Sequence, residues 1–99
     1  MKKYNYNVVL KTELGKKNGT MQILIDDNKV EGFLYLLKHT EPICGNINAD
    51  GSCSLQGKIV TLIKEFTYTA TGYIGGEELR LNFKIGLNNY LLKGVLLKE

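Results

Sequence analysis

The feature that most constrains this chain is a two-residue rhythm of apolar side chains that persists almost from end to end. From Tyr4 the even positions read Tyr4, Tyr6, Val8, Leu10, Thr12 and Leu14, with Asn5, Asn7, Val9, Lys11 and Glu13 between them. Successive side chains of a strand point to opposite faces, so this spacing predicts a strand with one buried face. The same alternation returns in Met21-Ile23-Ile25 and in Val30-Gly32-Leu34-Leu36. It continues in Gly45-Ile47-Ala49, Cys53-Leu55-Gly57-Ile59, Phe66-Tyr68-Ala70-Gly72-Ile74 and Leu79-Leu81-Phe83-Ile85. The last run, Tyr90 to Leu97, is apolar on both faces. No stretch holds a helical period. Residues 60–65 are the one candidate for a helical turn, and their β-branched members oppose it.

Turn chemistry separates the runs. Gly15 to Gly19 reads as a glycine-flanked turn, Asp27-Asn28 as a tight one, and Lys38 to Pro42 as a loop. Asp50-Gly51 is the strongest hairpin signal, a break falls near Ile63-Lys64-Glu65, and Gly75-Gly76 and Gly86 to Asn89 turn the chain again. Eight strands with such short connections must pair antiparallel with their sequence neighbours. The expectation is an all-β, eight-stranded up-and-down meander closed, or nearly closed, into a small barrel, because closure removes exposed strand edges. Gly32, Gly45, Gly57, Gly72 and Gly94 fall inside strands, where glycine marks a bend or close backbone approach. A sandwich could use such bends at its corners. With 99 residues, one domain spanning 1–99 is expected.

This pattern resembles the calycin-like barrels of the lipocalin and avidin type. The resemblance covers most of the chain as architecture and rests on no short motif. The Gly-x-Trp of lipocalins is absent, since the chain has no tryptophan, and the chain is shorter than a typical lipocalin. The resemblance implies a fold that often binds small apolar molecules.

Composition removes several classes of function. The chain is 43% apolar and 23% charged, the mix of an ordinary globular domain. No apolar run approaches the roughly 20 residues of a membrane helix. A net charge of +3, carried by mostly scattered lysines, predicts no nucleic-acid partner, and the missing apolar run predicts no membrane partner. The basic start Met1 to Asn7 lacks the apolar stretch of a signal peptide, which predicts a cytoplasmic protein unless a signal segment has been removed. Asn18-Gly19-Thr20 matches a glycosylation sequon, but its plainer reading is a turn ahead of a strand.

Candidate chemistry is thin. His39 beside Glu41 offers a general base, against the plainer reading of a solvated loop histidine. Cys44 and Cys53 have opposite parity across a hairpin, so they are expected as free thiols on opposite faces. Asp26-Asp27-Asn28 is too short for a calcium loop, and Glu77 and Glu78 point opposite ways on a strand. Glu65 completes the short set of isolated acids. No catalytic residue, cofactor or metal is therefore expected, and the chain reads as a non-enzymatic binding module.

Two surfaces remain as candidates. Tyr4, Tyr6, Phe66, Tyr68 and Phe83 fall on inward faces, where they either line a pocket for a small apolar ligand or fill the core. Phe33, Tyr35 and Leu37 point opposite to Leu34 and Leu36, and Leu91, Val95 and Leu97 opposite to Leu92 and Leu96. No helix is available to cover these outer faces, so they are expected to form a homodimer interface.

Overall fold

The structure, a computed structural model, describes residues 2–13 and 15–97. Leu14, expected as the last inward residue of the first strand, lies outside the described residues. The strands are β1 (Lys2–Thr12), β2 (Gly15–Asp26), β3 (Lys29–Leu36), β4 (His39–Ile47), β5 (Ser52–Val60), β6 (Glu65–Ile74), β7 (Glu78–Ile85) and β8 (Asn88–Leu96). All neighbours pair antiparallel in chain order, and β1 pairs with β8 from Tyr6↔Leu96 to Leu10↔Leu92, which closes the barrel. The described residues contain no helix, and residues 61–64 form a bent turn.

The inward positions are those the two-residue rhythm selects. Tyr6, Val8 and Leu10 face Met21 and Ile23, then Leu34, Ile43 and Leu55 in turn round the barrel, all buried. Tyr6, Phe83 and Met21 are the bulkiest of the fully buried side chains and fill the centre. The barrel is flattened, with extents of 36 × 29 × 18 Å. Flattening requires backbones to approach closely, and Gly32 shows how. A Cβ built on Gly32 would lie 1.8 Å from the Gln22 carbonyl oxygen.

Two expected connections are strands instead. The segment expected as a turn from Gly15 to Gly19 is the first part of β2, paired from Thr12↔Gly15 to Val8↔Gly19. Gly15 alone supplies a left-handed backbone, with φ 108°, so the following residues return to the ladder. The segment expected as a loop, Lys38 to Pro42, is likewise ordered. Leu37 and Lys38 both have positive φ, 54° and 68°, and make a two-residue hairpin that releases His39 directly into β4. Pro42 is tolerated there because the β4–β5 ladder runs only between Ile43↔Gly57 and Ile47↔Cys53. Its missing N–H falls in a stretch that β5 does not pair.

Replacing Gly32 with alanine is expected to lower unfolding free energy by about 2 kcal/mol, as overpacking against backbone does. Gly76→Ala is the control, since nothing lies within 4 Å of its Cβ position. Urea unfolding of the two variants checks the contrast.

Candidate functional site

The turns define two chemically different ends. One end carries the β2–β3, β4–β5 and β6–β7 connections, and the other the β1–β2, β3–β4, β5–β6 and β7–β8 connections. The five inward aromatics do not gather at either. Tyr4 and Tyr6 sit towards the first end, ring centroids 6.2 Å apart, and the Tyr6 hydroxyl donates to the Gly75 carbonyl at 2.5 Å. Tyr68 and Phe83 stack in the interior at 4.3 Å. Phe66 is half-buried at the second end. Three of the five thus build the filled core, and only Phe66 lines the cavity at the second end.

That cavity, about 320 Å³, is an open apolar mouth. Leu10, Leu37, Ile59, Phe66, Ile85 and Tyr90 form its walls, with Lys17 and Glu13 at its rim. It exists because the inward residues of the strand ends have no helix or lid over them. The volume is at the lower limit of small-ligand pockets.

On the barrel's side, five of the six expected outer-face residues stand where the alternation puts them; Leu37 instead turns in the β3–β4 hairpin and lines the mouth. Phe33, Tyr35, Leu37, Leu91, Val95 and Leu97 are all exposed. Phe33 and Tyr35 share one groove with Leu97, although β3 and β8 are separated by β1 and β2. The floor between them is polar but uncharged, made by Asn5, Thr20 and Gln22. Registers Asn5↔Gln22 and Gln22↔Phe33 place these residues in one row across the sheet.

A third feature lies at the β4–β5 seam. Tyr68 folds over Gly57, where its hydroxyl occupies the space of the missing side chain, 2.6 Å from the Cβ position. That hydroxyl is buried and has no hydrogen-bond partner among the described residues. Burial first, and the nearby Cys44 second, hold the Tyr68 phenol well above its usual range. Burial, with a smaller push from Tyr4, raises Tyr6 from 10.0 to about 12. Burial also raises the Cys53 thiol from 9.0 to about 11, against a backbone hydrogen bond at Gly72. Both cysteines are free, Cys44 exposed and Cys53 buried.

The remaining candidates do not converge on chemistry. His39 opens β4 instead of lying in a loop, and Glu41 lies 3.9 Å from the Lys58 ammonium, which also meets Glu65 at 3.7 Å. Among the described residues no three His, Cys, Asp or Glu side chains cluster as metal ligands, and no helix is long and apolar enough to cross a membrane. At the turn tips of the second end Leu62, Ile63 and Leu87 stand in solvent, outside the alternation that marks the strands. Their signal was available: apolar residues inside turns, where polar ones are usual. Comparison with protein-family models, with curated proteins and with solved structures finds no match.

The two buried tyrosines separate cleanly by mutation. Tyr6→Phe is expected to cost about 1 kcal/mol, because it removes a made hydrogen bond. Tyr68→Phe is expected to be neutral or stabilising, because it removes a buried hydroxyl that makes none. Burial raises these acids in the folded state, so stability is full below their ordinary values and falls as pH rises. For Tyr6 the window is pH 10.0 to about 12, and Cys53 begins the loss near pH 9.0. Urea midpoints across that range should fall for the parent and fall less for Tyr6→Phe.

Proposed function

We propose that this chain is a non-enzymatic binding and interaction module, a small calycin-like barrel that works as a homodimer. The observation that carries the reading is the groove joining Phe33 and Tyr35 to Leu97 over an uncharged floor. Closure pairs each strand with two neighbours over much of its length, which favours association through side chains on a face. A second copy suits this face. A two-fold contact places the same patch against itself, and a patch free of charge does so without like-charge repulsion. Val95 adds apolar content along β8 up to Lys93, which shares its outer face, and burying each large side chain contributes about 1.5–3 kcal/mol. An exposed Cys44 thiol left unpaired suits a reducing compartment, which supports a cytoplasmic setting.

A second reading, carriage of a small apolar ligand, is favoured by one observation, the open mouth around Phe66 and Tyr90. The filled centre restricts such a ligand to that mouth. Sedimentation velocity at micromolar concentration tests the first reading: the parent should run as a dimer, and the double variant Phe33→Lys, Tyr35→Lys as a folded monomer with an unchanged circular dichroism spectrum and a melting temperature lowered by the lost association. A parent that is monomeric throughout would remove the dimer, and a thermal shift with apolar compounds, lost in Phe66→Asp, would favour the carrier.

A further inference from the structure

The second end of the barrel combines two features that the dimer face does not use. Its turns carry large apolar side chains held out in solvent: Leu62 is 100% exposed, Ile63 95% and Leu87 97%. Leu37, on the β3–β4 hairpin, joins them at the rim of the mouth. Turn tips are where a chain ordinarily places its polar residues, so apolar tips on three connections at one end form a crown of anchors.

The charge around that crown is one-sided. Lys58 is engaged by Glu41 and Glu65. Lys11, Lys16, Lys17, Lys38, Lys64 and Lys84 then stand on the strand ends and turns of this half, against Glu13. Lys11 and Lys16 are direct cross-strand partners on the outer face of β1–β2, both exposed. Like charges directly opposite each other destabilise a sheet, so this pair is most favourable where an external anion lies between or beside the two ammonium groups. Lys64 lies within the Leu62–Ile63 turn and its ammonium sits 5.4 Å from the Phe66 ring centroid, at the mouth. The opposite end has the reverse character. Asp26 and Asp27, Asp50, and Glu77 with Glu78 occupy its turns, offset in part by Lys2, Lys3, Lys29 and Arg80.

We infer that this end docks on an anionic lipid bilayer, with Leu62, Ile63 and Leu87 entering the interface and the lysine collar meeting acidic headgroups. The chemistry requires both parts. Apolar side chains that enter the headgroup–acyl boundary give up contact with water, and basic residues beside them add attraction to anionic lipid over a short screening distance. Lysine stems reach past an apolar rim and leave their ammonium groups at headgroup level. A modest overall charge of +3 suffices because the excess is collected at one end. This departs from the expectation, drawn from the lack of a membrane-length apolar run, that no membrane partner exists; the fold collects at one end lysines that the sequence scatters. The docking end is distinct from the β3–β8 side face, so it stands or falls independently of the dimer.

Co-sedimentation of the full chain with vesicles tests it. Vesicles of equal parts phosphatidylcholine and phosphatidylglycerol should carry the protein down, and pure phosphatidylcholine vesicles should do so far less. Binding to the acidic vesicles should weaken as salt rises. The triple variant Leu62→Ser, Ile63→Ser, Leu87→Ser should lose at least about tenfold in partitioning, since each replaced side chain is worth a substantial part of the transfer. Lys11→Glu with Lys16→Glu should lose binding to acidic vesicles and leave the weak binding to neutral ones unchanged. All replaced residues are exposed, so thermal melts should match the parent. The inference is overturned if acidic vesicles do not carry the parent down, or if the triple variant, melting as the parent does, binds equally well. It is also overturned if the tips serve only a second copy: vesicle binding absent, and an oligomer that the triple variant dissociates.

Discussion

Everything in this structure depends on the ladder between the first and last strands. Five residue pairs, Tyr6↔Leu96 to Leu10↔Leu92, turn an eight-stranded ribbon into a barrel. Without them β1 and β8 would be edges, and an open sheet would expose the inward row of Tyr6, Val8 and Leu10 to water. With them, every strand has two partners, although the β4–β5 ladder leaves His39 to Pro42 outside it. The ladder can form because Gly94 stands opposite Val8 with no side chain of its own. A Cβ there would meet the Leu79 and Val8 side chains at 2.9 and 3.0 Å.

Closure at this length leaves little room inside. An eight-stranded barrel is just wide enough to be filled by side chains or to hold one small ligand. Here the cross-section is flattened to 18 Å in its short dimension, and tyrosine and phenylalanine rings occupy the middle. Tyr6 satisfies its hydroxyl on the Gly75 carbonyl, and Tyr68 uses its ring to cover Gly57. The interior is thereby committed to stability. The concave surfaces lie outside the packed centre, at the mouth, on the side face and at the β4–β5 seam.

The strands were legible because a buried face imposes a period of two, and a slip of one residue would expose the whole set. Tyr6, Met21, Leu34, Leu55 and Phe83 are read inward from spacing alone, and each is buried. Cys44 and Cys53 separate by the same parity. The connections were less legible because composition does not say which glycine turns the chain. Gly15 takes the left-handed backbone, whereas Gly19, four residues on, is there for close approach: its Cβ would lie 2.1 Å from the Tyr35 carbonyl oxygen. Leu37 and Lys38 adopt positive φ without being glycine or asparagine, so nothing in their identity announced a two-residue hairpin. The five inward aromatics do not gather at one end for a related reason. Inward parity places Tyr4 and Phe66 on the same face, but not at the same end, and only the order of the strands distinguishes the two.

End and side are properties of the closed barrel and not of any one strand, and they bear on each other. A two-fold axis parallel to the barrel axis would set both apolar crowns of a dimer facing one way. A perpendicular axis would point them apart. In the first arrangement, docking of one crown holds the second close to the same surface, and the second contact is gained at high effective concentration. The side groove permits that arrangement. Its row from Phe33 through Gln22 and Asn5 to Leu97 runs across the strands, round the barrel, so a second copy can lie alongside with its strands in the same sense. In that geometry the uncharged floor and the basic crown do complementary work. The first would let two identical molecules touch, and the second would give both of them the same direction to face.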